Sequence, residues 1–396
     1  MQFLKKIWRL PKIIYLVVTL AIAIFIIGLF LINFDTGAIE ISSIEFIGQA
    51  TLPKGLSFQK TEVGGLSGIT YDVKTDLYYA ISDDRGQKAP ARFYTFKIDL
   101  NQGHLQDSGV KTVGVTRLLN NQNQPFPDSE TDTEGIAVTK DETVFISSEG
   151  DVAQFIQPFI QEFNLASGKV TQTLPIPKKF LPDKKSQQGI RNNLAFESLT
   201  ITPDNKYLFA ATENALIQDG VVAAPNTGTS CRILQYNLTN NQPEKEFLYQ
   251  TEPVTSLFNP TGKFASGLPD LLALDNHGHF LSIERSFTGL GFTVFLFQVS
   301  LTDAENINHH NSLLKVNTKN IKAAQKKLIL DLRRLDVPLD NIEGLTLGPK
   351  LPHRQRLLIL VSDNNFNSIQ RTQFLAFKLK IVSPLTRLLR HIFTQN

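Results

Sequence analysis

Along most of the chain, apolar and polar positions alternate in short runs separated by turns rich in Asp, Asn, Gly and Pro, a pattern that predicts half-buried β-strands. The runs repeat. Five segments align: GLSGITYDVKTDLYYAISDD from Gly65, DTEGIAVTKDETVFISSEGD from Asp132, AFESLTITPDNKYLFAATEN from Ala195, GLPDLLALDNHGHFLSIER from Gly267 and NIEGLTLGPKLPHRQRLLILVSDN from Asn341. Each reads as a strand, a turn and a second strand ending in an acid. Third strands follow as ARFYTFKIDL, PFIQEFNLAS, CRILQYNLTN, FTVFLFQVSL and TQFLAFKLK. Fourth strands follow only four of the pairs, as VKTVGVTRLL, VTQTLPIPKK, KEFLYQTEPV and KKLILDLRRL, and the N-terminal IEISSIEFIGQATL supplies the fifth. The prediction is an all-β propeller of five four-stranded blades over residues 40–380, the last blade closed by the chain's own N-terminal strand, which removes long exposed sheet edges. A sixth, degenerate blade within 252–270 or 302–325 stays open as an alternative.

One run breaks the alternation. Residues 13–32 carry no charge over 20 positions, long enough to cross a hydrocarbon core of about 30 Å. Lys5, Lys6, Arg9 and Lys12 precede this run and no acid occurs before Asp35. The positive-inside rule then predicts a cytoplasmic segment over 1–12, a transmembrane signal-anchor helix over 13–33 and an extracytoplasmic propeller, periplasmic in a bacterium. The rival reading is a cleaved signal peptide, but the run is longer than the usual apolar core of one and no A-x-A site follows. Residues 381–396 read as a short basic amphipathic tail that rests on lipid or caps a blade.

Composition narrows the function. The chain carries a formal charge of +3, but the four N-terminal basic residues exceed that surplus, so the remainder is close to neutral and gives no basic surface for nucleic acid. A single cysteine, Cys231, excludes an internal disulfide and a Cys-based zinc cluster. No linker divides the repeat region, so one domain, monomeric, is expected. Gly65-Leu66-Ser67-Gly68 lacks the spacing of a nucleophile elbow. His277 and His279 lie in a turn on the opposite face, and residues 259–263, NPTGK, lack the glycines of a phosphate loop.

In a four-stranded blade the first strand starts and the second ends on the same face. The starts are Ser67, Glu134, Glu197, Asp270 and Glu343; the ends are Asp83, Glu149, Glu213, Glu284 and Asp363. Nine of these ten are acidic although Asp and Glu number only 37 of 396 residues, so chance is a poor explanation. Third strands bring Arg92, Arg232 and Arg371 to that face, and loops add Arg85, Arg191 and Arg285. Crowded carboxylates are costly unless protons, cations or metal neutralise them, and hard oxygen donors favour Ca²⁺ or Mg²⁺. Blades held together by Arg–carboxylate pairs alone are the structural alternative.

These acidic repeats, with LDNIEGLTLGP, LILVSDNNF, QRTQFLAFKL, DDRGQKAPARFYTF, GIRNNLAFESLTITPD and ATENALIQDG, resemble the phytase-like "esterase-like activity of phytase" family from about Gly64 to Leu379. The resemblance implies an exported β-propeller with ester or phosphoester hydrolase activity. Calcium-dependent propeller phytases, from which the family takes its name, have a similar acid-lined face, and the carry-over reaches the repeat acids as candidate ligands and no further. The expected metal ligands are Asp83, Glu134, Glu197, Asp270, Glu343 and Asp363, for Ca²⁺ or Mg²⁺. The expected catalytic acids are Glu149, Glu213 and Glu284, with Arg85, Arg191, Arg285 and Arg371 holding a small anionic or ester substrate. The competing reading is a non-catalytic propeller of the cell envelope that binds a ligand or protein on the same face.

Overall fold

The structure, a computed structural model, describes residues 14–15, 17–24, 39–183, 187–255, 259–289 and 291–382. One compact unit spans Ile41–Lys380. It starts with β1 (Ile41–Thr51) and a small ribbon of β2 (Ser57–Phe58) and β3 (Thr61–Glu62). Blade 1 follows as β4 (Leu66–Asp72), β5 (Leu77–Ser82), β6 (Arg92–Ile98) and β7 (Val110–Arg117). Blade 2 is β8 (Thr133–Val138), β9 (Thr143–Ser148), β10 (Phe159–Asn164) and β11 (Val170–Thr173). Blade 3 is β12 (Phe196–Ile201), β13 (Tyr207–Thr212), β14 (Ser230–Asn237) and β15 (Gln242–Gln250). Blade 4 is β16 (Ala265–Ala273), β17 (His279–Phe287), β18 (Phe292–Ser300) and β19 (Gln325–Asp331). Blade 5 is β20 (Asn341–Leu351), β21 (Gln355–Asp363) and β22 (Gln373–Ile381), with β1 as its outer strand in the order β1-β22-β21-β20.

The five-bladed, all-β propeller is therefore as the sequence predicts, closed by the N-terminal strand. The innermost strands touch in a ring, β4 to β8, β8 to β12, β12 to β16, β16 to β20 and β20 back to β4. Residues 302–325 build no sixth blade. They form turns, with Ile307, Leu313 and Ile321 packed on Leu248 of blade 3.

Burial explains the choice of residues. Second strands are apolar on both faces because each is flanked in its own sheet and covered by the neighbouring blades; β5, β9 and β13 are buried at every position after the first. Outer strands alternate. β7 and β19 expose Lys111, Arg117, Gln325 and Lys327 along their length, and such charges discourage edge-to-edge pairing. Between blades the core is aromatic, with Phe96 of blade 1 against Phe374 of blade 5 at 5.4 Å and Phe209 of blade 3 against Phe280 of blade 4 at 4.9 Å between ring centroids. β1 joins this core through Ile47 and Ala50, which pack with Phe96, Phe374 and Ala376.

The second unit comprises residues 1–40 and 381–396. Of the expected anchor over 13–33, only residues 14–15 and 17–24 are described, as helix, and the rest lies outside the described residues. Among the described residues no helix is long and apolar enough to cross a membrane. The transmembrane helix expected over 13–33 is therefore not supported by the described residues, which hold only part of that span. The predicted amphipathic tail falls mostly on residues 383–396, outside the described residues.

The closing strand generates a stability prediction. Ile47→Ala, which empties a fully buried site, is expected to lower the unfolding free energy by about 2–5 kcal/mol. Glu45→Ala on the exposed side of β1 should stay within about 0.5 kcal/mol, both read by urea denaturation.

Candidate metal and anion site on the acidic face

Every innermost strand carries a register shift against its partner where it meets this face. In blades 1, 3 and 5 the shift falls between Leu66 and Gly68, Phe196 and Ser198, and Ile342 and Gly344, leaving Ser67, Glu197 and Glu343 unpaired. In blade 2 it spans Thr133 to Ile136 and in blade 4 Gly267 to Asp270. A bulge bends a strand and re-aims a side chain; here it turns the acids of the inner strands toward the axis. The residue after the bulged position is often glycine for a steric reason. A Cβ on Gly68 would stand 2.6 Å from the carbonyl oxygen of Glu134, and one on Gly135 2.7 Å from that of Glu197. The missing side chains let the inner strands close on one another.

The result is a buried carboxyl cluster. Ligand atoms of Glu134, Glu149 and Glu197 lie within 4.8 Å of one another, as do those of Asp83, Asp132 and Glu134, so Glu134 belongs to both groups. Glu213, Glu343 and Asp363 continue the ring and are buried. Desolvation raises the pKa of Asp83, Glu134, Glu149, Glu197, Glu213, Glu343 and Asp363, and neighbouring carboxylates raise those of Asp83, Glu134, Glu149, Glu197 and Asp363 further. Glu149 accepts a hydrogen bond from the Ala195 backbone N–H through Oε1, while its Oε2 is buried with no partner.

Two guanidiniums serve the cluster. Arg285 sits 2.6 Å from Glu343 Oε1 and 3.5 Å from Glu213 Oε1. Arg85, with a positive φ of 52°, donates to both oxygens of Asp132 at 3.0 and 2.5 Å and also to Asn193. Among the described residues, Asp83, Glu134, Glu149, Glu197 and Asp363 make no ion pair. Eight carboxyl groups thus face two guanidiniums.

The other sequence-predicted residues are placed elsewhere. Ile283 pairs with Asp270 as Ile81 pairs with Gly68, Ala211 with Ser198 and Val361 with Gly344. Two positions on, blades 1, 3 and 5 present Asp83, Glu213 and Asp363, whereas blade 4 presents Arg285. Glu284, one residue earlier, faces away and is held by Tyr249 Oη at 2.8 Å, Lys326 and the Glu252 backbone N–H at 2.7 Å. Asp270 accepts the Leu345 backbone N–H at 2.9 Å and its own neighbour Leu271 at 2.8 Å, tying blade 4 to blade 5. Ser67 Oγ donates to the Glu134 carbonyl at 3.0 Å.

Arg191 donates to the carbonyls of Ala215 at 3.0 Å and Gly220 at 2.7 Å, and Arg371 lies 3.4 Å from Asp340. Arg92 and Arg232 are fully buried on Asp84 (2.6 Å) and on Asp219 and Glu246 (2.6 Å each). Sequence reasoning missed Asp132. Its signal was Asp132-Thr133-Glu134, two acids with strand spacing, but the equivalent positions are Gly65 and Ala195, so the repeat did not mark it.

The donor set fits a hard divalent cation. It is all carboxylate oxygen, and the only cysteine, Cys231, is buried with its Sγ donating to the Glu213 carbonyl at 3.0 Å. The unpartnered Glu149 Oε2 is an acceptor that a cation would satisfy.

Comparison with known proteins decides the family. Residues 61–366 match the phytase-like family described as "Esterase-like activity of phytase". The chain belongs to this family. The other similarities are partial. An "Uncharacterized secreted protein" of Arthroderma benhamiae is 29% identical over 129 residues, covering 28% of this chain and 25% of that protein. The chain thus spans about a quarter of that curated relative. Of solved structures, a tail fibre of Staphylococcus aureus phage P68 matches at TM-score 0.39 and 12% identity over 85% of this chain and 52% of its own. An endo-arabinase of Bacteroides thetaiotaomicron matches at TM-score 0.42 and 10% identity, covering 82% and 96%. The activities in these names remain those of the proteins named. With no described helix able to cross a membrane and a partially matching protein titled as secreted, the single-pass membrane location expected from the sequence is corrected.

The site generates a contrast. Arg285→Met leaves Glu213 and Glu343 buried without their guanidinium and is expected to cost about 3–5 kcal/mol. Arg371→Met, whose side chain is 37% exposed, should cost at most about 1 kcal/mol. Urea denaturation of both variants checks this.

Proposed function

We propose that this phytase-like propeller hydrolyses an ester, a phosphoester in the first place, at a divalent-cation site on the acidic face, with Ca²⁺ as the ion and Mg²⁺ as the substitute. The observation that carries the reading is the excess of buried carboxyl groups over guanidiniums, with Glu149 Oε2 left unpartnered. Glu134, Glu149 and Glu197 would hold a cation, and Asp83 and Asp132 with Glu134 would hold a second or share the first. Many oxygen donors in an adaptable cluster suit calcium better than the strict octahedron of magnesium. Bound there, the ion polarises a phosphoryl or carbonyl oxygen and lowers the pKa of water.

The chain's own residues supply the rest. Glu213 and Glu343, held by Arg285, are placed to accept a proton from water beside the cation groups. Arg85, whose side chain is 30% exposed beside Asp132, would meet an anion in two-point contact. Arg191 and Arg371 would add to anion binding at this face. Burial of the carboxyl groups strengthens each of these interactions by excluding water.

A second reading, a non-catalytic binding propeller, is favoured by one observation. All four arginines are already engaged, Arg85 and Arg285 by carboxylates, Arg191 by carbonyls and Arg371 by Asp340. The experiment separates the two. The purified chain is assayed on phytate, p-nitrophenyl phosphate and short carboxylic esters with Ca²⁺, Mg²⁺ or chelator. Turnover is expected to need metal and to fall at least about 100-fold in Glu134→Gln and Glu149→Gln. Absence of turnover with a melting temperature raised by Ca²⁺ would favour the binding reading instead; no response to cation in either assay would leave the ring a structural feature and overturn the proposed hydrolase.

A further inference from the structure

The excursion between β18 and β19 carries a second set of metal-ligating side chains that the acidic face does not use. Glu305, His309 and His310 each offer a ligand atom, and the three atoms lie within 4.8 Å of one another. The two imidazoles lie side by side, with ring centroids 3.9 Å apart and planes at 44°. Successive residues of an extended strand point to opposite sides, so this juxtaposition requires a turn. The His310 backbone N–H closes it by donating to the Ile307 carbonyl at 2.9 Å.

The turn is held from beneath by a buried network. The His310 carbonyl accepts from Arg232 Nη2 at 3.0 Å and from Lys179 Nζ at 3.4 Å. Arg232 is fixed in turn by Asp219 and Glu246, and Lys179 lies 3.0 Å from Glu246. The Ile307 backbone N–H donates to the Glu246 carbonyl at 2.8 Å, and its side chain is fully buried against Leu248. Glu305 and His309 are exposed and His310 is half-buried. The backbone is therefore organised before any ligand arrives, while the donor atoms stay accessible, which is the condition for a precise site on a loop.

We propose that Glu305, His309 and His310 form a transition-metal site, suited to Zn²⁺, that shares no ligand with the acidic face and staples this excursion. Two imidazole nitrogens and one carboxylate oxygen select zinc, copper or nickel over calcium. Three protein ligands leave the fourth position to water. The excursion also ties to the loop after β13, because the Leu313 backbone N–H donates to Asp219 at 2.9 Å and Ser312 Oγ to the Gln218 carbonyl at 2.6 Å. That loop supplies the Gly220 carbonyl that holds Arg191, so a metal here stiffens a support of Arg191.

The test uses the full chain without a histidine tag. Zinc chloride is titrated by calorimetry in saturating CaCl₂, which occupies the acidic face under the proposed function, and melting temperature is read with and without Zn²⁺ in the same buffer. The expected result is one equivalent bound with a raised melting temperature in the wild type and in Glu149→Gln. In His309→Ala/His310→Ala, binding weakens at least about 10-fold and the shift disappears, while the metal-free melting temperature stays at the wild-type value. Zn²⁺ binding that survives in the double alanine variant, that is lost in Glu149→Gln, or that is absent from the wild type overturns the proposal. Should the double variant fold poorly, exposed Glu305→Gln and the visible absorption of the Co²⁺-loaded wild type give the same decision. A tetrahedral Co²⁺ spectrum that Glu305→Gln alters supports the site, and one it leaves unchanged overturns it.

Discussion

The acidic face depends on how closely five strands can approach one axis. Each inner strand contacts the next, and glycine stands where a side chain would not fit: a Cβ on Gly344 would lie 2.9 Å from Val361 Cγ1 and 3.1 Å from Gly68 Cα. Strands this close bring the bulged residue before each glycine within a few ångströms of its neighbours. The carboxyl cluster is thus a consequence of ring size, glycine and bulge together. Its electrostatic cost, seen in the raised pKa values of Glu134, Glu149 and Glu197, is the other side of the same packing. A wider ring would relieve the repulsion and also disperse the donors.

Blade 4 breaks the symmetry. Across its shift from Gly267 to Asp270, Asp270 pairs with Ile283 as Gly68 pairs with Ile81, so it stands one residue past the bulged position, and Arg285 takes the place that Asp83, Glu213 and Asp363 hold in other blades. Gly267 makes room for this, since a Cβ there would stand 2.5 Å from Glu213 Cγ. One arc of the ring, Glu213 to Glu343, is therefore compensated from within by a guanidinium. The opposite arc, through blades 1 and 2, keeps its carboxyl groups with only Arg85 to offset them.

The repeat was legible because strand, turn and strand recur with the same residue types, and the N-terminal strand was legible as the missing fourth strand of the last blade. The detailed site was less so, for reasons of frame. Sequence similarity in LSIERS favours aligning Glu284 with the other acids, but strand alternation sends Glu284 toward Tyr249 and Lys326 and sends Arg285 inward. Asp270 reads as a ring acid because it follows Gly267 closely, yet it holds the register of Gly68, Ser198 and Gly344, one residue past the bulged position, where its carboxylate binds the Leu345 backbone N–H of blade 5. Arg92 and Arg232 start third strands, where a substrate role and a buried ion pair give the same pattern of residues; only Asp84 and Asp219, on neighbouring loops, tell them apart.

The charge count constrains any ligand of this face. Eight carboxyl groups face two guanidiniums, so wherever these acids ionise, an anionic ester approaching the bare ring meets repulsion that Arg85 alone does not offset. A cation bound in the uncompensated arc reverses the sign of the field there. Under the proposed function, cation and anion binding are then linked, each raising the affinity of the other by the same factor. That linkage holds whether or not an ester bond is broken, because it follows from where the charges sit rather than from the reaction.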